Sequence, residues 1–171
     1  MKTLSITALL ILSLLQLTFA QSDSLIQTKA FKHAIGVTAG FTIGNGLSYR
    51  FSPNKFEAQV SFAPYKTPEE SKYSLGLAFF YKLVETPTTI LFVYQGSQYI
   101  YSEEMLYYWD ETTQKETYEK SIDSYLNNGL GIGIRFVILK RVGLDIMGGY
   151  ASYQNLTKIS FTGEIGLHFM F

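Results

Sequence analysis

Ile159-Ser160-Phe161-Thr162-Gly163-Glu164-Ile165-Gly166-Leu167-His168-Phe169-Met170-Phe171 is the stretch that decides the fold. Ile159, Phe161, Ile165, Leu167, Phe169 and Phe171 fall on one face, interrupted only by Gly163. Ser160, Thr162, Glu164, Gly166, His168 and Met170 fall on the other. A period of two is the mark of a strand held between two unlike environments.

Working outward, the same alternation recurs. Leu47, Tyr49 and Phe51 oppose Ser48 and Arg50, and Phe56, Ala58, Val60 and Phe62 oppose Glu57, Gln59 and Ser61. Leu75, Leu77, Phe79 and Tyr81 oppose Ser74, Gly76, Ala78 and Lys82, with Phe80 breaking the polarity of the second face. Leu130, Ile132, Ile134 and Phe136 oppose Gly131, Gly133 and Arg135, and Leu144, Ile146 and Tyr150 oppose Asp145, Met147 and Gly149. Strands are expected near 33–41, 45–52, 55–64, 72–83, 87–101, 127–139, 141–154 and 157–171, and no segment carries a convincing helical stripe. Residues 35–51 read either as one long strand bent at Gly44 and Gly46 or as two strands split at 42–45. An even strand number, as bacterial membrane barrels have, favours the split.

The connections sort into two kinds. Short turns are expected at 52–55, 84–87 and 139–141, on the side of the two ends. Longer loops at 42–45, 65–71, 102–126 and 155–157 fall on the other side. If the apolar faces look out at lipid, every backbone polar group needs a partner within the protein, so the strands must close into a barrel. The polar faces then point inward, and they collect Arg50, Lys82 and Arg135 with Glu57, Asp145 and Glu164. Eight strands leave an interior that side chains fill, and charges buried there must be paired. A salt-bridge network plugging the lumen is the expectation, and a wide diffusion pore is disfavoured.

The N-terminus is a separate matter. Lys2, an apolar run from Ile6 to Leu17 and the small residues of Thr18-Phe19-Ala20 before Gln21 have the plan of a cleaved secretory signal peptide. The expected organisation is 1–20 signal peptide, 21–32 polar lead-in and 33–171 barrel domain. The 171 residues include 14 basic and 14 acidic side chains and no cysteine. Without a basic field a nucleic-acid partner is not expected, and without cysteine there is no disulfide, thiolate metal site or lipid-modified cysteine.

Four constellations bear on chemistry. Residues 101–128 hold Glu103, Glu104, Asp110, Glu111, Glu116, Glu119 and Asp123 against Lys115 and Lys120, interleaved with aromatics. The segment reads as a solvated loop or as an extension of its hairpin above the membrane, and within it Tyr107, Tyr108, Trp109, Asp110 and Glu111 form the candidate surface-contact loop. His33 and His168 have no partner at metal-ligand spacing. Ser160, Glu164 and His168 share a face, but Ser160 and His168 stand about 26 Å apart along an extended strand at ~3.3 Å per residue, so they form no triad. The glycines at 36, 40, 44 and 46 and at 129, 131 and 133 lack the Lys-Ser/Thr of a phosphate loop; small residues giving large neighbours room on an inner wall explain them better.

Glu164, Gly166, Phe169 and Phe171 make the pattern polar-x-Gly-x-x-aromatic-x-aromatic at the C-terminus. With the alternation and the rim asymmetry, this resembles the small eight-stranded bacterial outer-membrane β-barrel proteins, the class of the OmpA transmembrane domain and OmpX. The resemblance implies an all-β, closed, antiparallel up-and-down barrel in the outer membrane. It also implies assembly by the barrel-insertion machinery through that terminal signal, contact with outer-membrane lipid, and a non-enzymatic role in the envelope or at the surface. A monomer with no cofactor and no metal is expected. Two rivals remain at this point: an outer-membrane enzyme acting on lipid or lipopolysaccharide, and a soluble lipocalin-like binder, which requires the opposite polarity, apolar inside.

Overall fold

The computed structural model describes residues 31–67, 70–110 and 115–171. They form eight strands: β1 (His33–Ala39), β2 (Gly46–Phe51), β3 (Phe56–Lys66), β4 (Glu70–Glu85), β5 (Thr89–Asp110), β6 (Lys115–Ile138), β7 (Val142–Tyr153) and β8 (Lys158–Met170). Each is antiparallel to its neighbours in the chain, and β1 pairs with β8 to close an up-and-down barrel. The first hairpin is split into two strands, with Gly44 in the connection at φ +87° and Gly46 opening β2 at φ +90°, where a side chain would be strained.

Following the pairing once around shows the stagger. Ile35 leads through Tyr49, Val60, Leu77, Ser97, Asn128 and Ser152 to Ile159, whereas across the seam Ile35 faces Phe169. The offset from Ile159 to Phe169 is ten residues, so the strands are strongly tilted. Residues far apart in the chain therefore share a level inside the barrel.

Burial is inverted relative to a soluble protein. Among the described residues the buried set holds 15 polar or charged side chains and 10 hydrophobic ones, while Leu47, Leu77, Leu130, Ile132, Ile165 and Leu167 are exposed on the wall. Such a continuous apolar exterior has no place in water, and the lipocalin-like reading, which needs the reverse, fails. Exposed Phe51, Phe56, Tyr81, Phe136, Phe169 and Phe171 lie toward the rim of the short turns, and Tyr65, Tyr73, Tyr99, Tyr150 and Phe161 toward the other. Two aromatic belts of this kind bracket the apolar band of a membrane barrel.

Two expectations need correction. The stretch 102–126, read as a loop, is mostly paired strand: β5 and β6 stay in register from Thr89↔Phe136 to Asp110↔Lys115. Once a hairpin rises clear of the wall, water reaches both faces and the alternation that marks a strand fades, so the sequence looked irregular there. The lumen is also less polar than expected. Phe80, Ile90, Phe92, Tyr94, Ala78, Ile43 and Met147 form a buried apolar cluster inside it. The break at Phe80 and the uninterrupted apolar run Ile90-Leu91-Phe92-Val93 in β5 are this cluster seen in one dimension.

Candidate functional site

At the lower, turn-bearing end of the lumen β2, β3, β4, β6 and β7 each direct one charged side chain inward. Arg135 binds Glu57 through two nitrogens, at 3.0 Å from Nη1 and 2.8 Å from Nη2, while its Nε meets Asp145 at 2.7 Å. Arg50 places Nη1 2.7 Å from Asp145 and 3.6 Å from Glu57 and donates through Nε to Gln59 at 3.0 Å. Lys82 stands 3.3 Å from Glu57, which also accepts from the Ser52 hydroxyl at 2.7 Å. The guanidinium of Arg50 lies 4.3 Å above Phe80 and that of Arg135 5.6 Å from Phe92. These rings roof the charge layer and add cation–π attraction where water is scarce. Each carboxylate meets more than one cation, which is what lets buried charge persist at all.

Of the six charges placed inside by the sequence, the structure brings five together and sets the sixth apart. Glu164 faces a second layer, nearer the long-loop rim. There it accepts hydrogen bonds from the Thr42 hydroxyl, from the Ile43 N–H at 3.0 Å, from Thr162 at 3.3 Å and from Tyr94 at 3.5 Å. Two of these four donors come from the connection 40–45, which turns into the lumen: Thr42 and Ile43 are wholly buried. The inner wall is cleared for that loop. A Cβ on Gly96 would come 2.8 Å from the Thr42 carbonyl oxygen, one on Gly129 2.7 Å from the Thr42 methyl, and one on Gly76 2.3 Å from the Ile43 carbonyl oxygen. Gly131 and Gly133 likewise make room for Tyr94 and Phe92. Glu164 is buried, and nothing local in the sequence said that a loop more than a hundred residues away would meet it.

One juxtaposition has the outline of hydrolytic chemistry. The Ser48 hydroxyl lies 3.0 Å from His168 Nε2, and His168 Nδ1 lies 3.7 Å from Asp145. The second distance is too long for a hydrogen bond, and Asp145 is already engaged by two arginines. Ser48, His168 and Asp145 are all buried, and added Cβ atoms at Gly36 or Gly166 would each come within 2.8 Å of His168. A substrate has no room at the hydroxyl, so the group packs the lumen. The serine and acid considered from the sequence, Ser160 and Glu164, are not its members. His33 serves the seam instead, bonding the Tyr49 hydroxyl at 2.6 Å and stacking on Phe171.

The other feature is the projecting hairpin. The last partner of β5 on β4 is Glu104↔Glu70, and the last partner of β6 on β7 is Asn128↔Ser152. Beyond these, β5 and β6 pair only with each other, and the six residues after Glu104 carry the hairpin a further ~20 Å at ~3.3 Å per residue. Tyr107, Tyr118, Met105 and Ile122 are exposed on it. Lys120 bridges Glu103 at 2.9 Å, and the Tyr101 hydroxyl, its ring stacked on Tyr73, donates to Glu103 at 3.0 Å. Lys120 and Tyr101 hold the Glu103 carboxyl below its ordinary range, and the carboxylate in turn raises Lys120. Of the candidate contact residues, Tyr107, Tyr108, Trp109 and Asp110 continue β5; Glu111 lies outside the described residues.

The fold is that of the N-terminal β-barrel domain of Pseudomonas aeruginosa OprF, with a TM-score of 0.51 at 14% identity over 81% of this chain and 95% of that one. Neisserial surface protein A gives 0.47 at 15% identity, covering 81% and 93%. Ail, the attachment invasion locus protein of Yersinia pestis, gives 0.41 at 15%, with the same shares. No protein-family model and no curated protein matches the chain. At this identity the likeness to the OprF domain concerns architecture alone: eight antiparallel strands, each beside its chain neighbour, closed into one barrel.

Proposed function

We propose that this chain is a non-enzymatic outer-membrane barrel whose filled lumen makes it an anchor and whose β5–β6 hairpin is the part that meets other molecules. The observation that carries the reading is the contrast in strand length. β1 and β2 are 7 and 6 residues, while β5 and β6 are 22 and 24 and share one continuous register. Nothing about membrane closure asks for the extra length, and it presents exposed Tyr107, Tyr118, Met105 and Ile122 among an excess of carboxylates. Aromatic side chains are favoured anchors in recognition, and the acidic balance suits a partner with a cationic surface. The apolar wall, the two aromatic belts and the architecture shared with the OprF domain support the outer-membrane placement. The packed charge and aromatic layers argue against conduction, and the closed surroundings of Ser48 and His168 against catalysis.

The test uses the absence of cysteine. Tyr107→Cys on intact cells should react with a membrane-impermeant maleimide. Trimming the hairpin to a short turn between Glu104 and Ser121 should leave the heat-modifiable barrel band intact while abolishing retention on immobilised polylysine. Labelling only after lysis, or retention unchanged by trimming, would refute the reading.

A further inference from the structure

We propose that the loop 40–45 is a latch that locks the barrel's seam, with Glu164 as its catch. The seam is where the first and last strands meet, and its ladder is short: six residue pairs, from Ala34↔Met170 to Ala39↔Ile165, extended at the foot by the mutual backbone bonds of His33 and Phe171. Above Ile165, β8 runs on to Lys158 beside β7 alone. The chain that would have continued the ladder on the other side, the end of β1, turns inward at Gly40. Backbone leaving a ladder at membrane depth has no water to satisfy it, and here side chains from three other strands do so. Ile43 N–H donates to Glu164 of β8, the Ile43 carbonyl accepts from Ser61 of β3 at 2.7 Å, and the Phe41 carbonyl accepts from Asn127 of β6 at 3.1 Å. Gly40 N–H is held within the loop by Asn45 at 3.0 Å.

The arrangement is a strap. Glu164 sits one residue above the last seam pair, and what it grips belongs to the first hairpin, so its bonds with Thr42 and Ile43 exist only when the two ends of the sheet have met. The glycines at 76, 96 and 129, on three different strands, are the socket that admits the loop. Closing the barrel joins strands more than a hundred residues apart, the costliest contact entropically, and the latch supplies buried hydrogen bonds at that junction. Opening of the seam is therefore gated by Glu164 rather than by the six pairs alone.

Hydrogen exchange on the full barrel in detergent micelles separates a latch from a contributor to overall stability. In Glu164→Leu, backbone amides of β1 and of β8 from Ile165 to Phe169 should exchange about tenfold faster or more, the loss expected when the Ile43 N–H and the Thr42 hydroxyl are left buried without their acceptor. Amides of β5 and β6 below Gln98 should be unchanged. Thr42→Val, which keeps the carboxylate and the Ile43 bond, should show the same pattern at about threefold, and it serves if Glu164→Leu does not fold. Acceleration spread evenly over all strands, or none at the seam in either variant, overturns the latch.

Discussion

Two ion pairs of nearly equal length stand at opposite ends of this molecule. Arg135 to Asp145 spans 2.7 Å and Lys120 to Glu103 spans 2.9 Å. The first lies in the lumen with both side chains at 4% exposure or less; the second lies on the hairpin with its lysine half exposed. Geometry makes them alike and surroundings make them different. In the lumen an unpaired charge has nowhere to be solvated, so losing one partner strands the others. On the hairpin, water replaces whatever is removed. The inner charges hold an interior together, and the outer ones can be removed at little cost.

The comparison breaks first at Glu57, which binds Arg135, approaches Arg50 and Lys82 and accepts from Ser52. Glu57→Ala should cost about 3–5 kcal/mol, the usual loss when one member of a buried ionic group is deleted, read as a lower midpoint of the heat-modifiable gel shift. The double variant Glu57→Ala with Arg135→Ala should lose much less than the two single losses added, because the first deletion leaves three cations around Asp145 alone and the second removes one of that excess. Additive losses would mean that the layer does not act as one network.

Next in size is the loop socket. Gly129→Val forces a branched side chain against Thr42 and should cost about 1–3 kcal/mol by overpacking, again in the gel-shift midpoint. Gly163→Val, on the lipid side where an added Cβ meets nothing within 4 Å, should be silent in the same measurement. Equal effects would show that the inner wall tolerates what the outer wall does.

The smallest effect is expected on the hairpin. Lys120→Ala should leave barrel unfolding unchanged and register only in the titration of Glu103 by NMR, where the carboxyl rises toward its ordinary range. The sign follows from the two shifts. Glu103 is depressed, so its contribution to hairpin order is present above the ordinary carboxylate range and is lost as pH falls through its lowered value. Lys120 is raised, so its contribution is present below the ordinary lysine range and is lost as pH rises through its elevated value. Hairpin order should thus be flat across neutral pH, and a transition there would assign the pair a larger role.

Much of this was legible in one dimension. Alternation alone put Ile165, Leu167 and Phe169 on one face and Glu164 and His168 on the other, because a strand's side chains alternate whatever it pairs with. It missed the height of the hairpin, since water on both sides erases the pattern near Met105 and Lys120. It also merged Glu164 with the other five charges, since parity gives a face and not a level.

What the sequence determined by itself was the sorting of side chains between an apolar and a polar surface, and with it a sheet that must close. Only the tertiary structure decided who meets whom: Arg50 with Asp145, Ser48 with His168, Thr42 with Glu164. The physical reason is the ten-residue stagger. It tilts every strand, so a partner inside the barrel is fixed by register accumulated around the wall, a quantity that no local stretch of sequence carries.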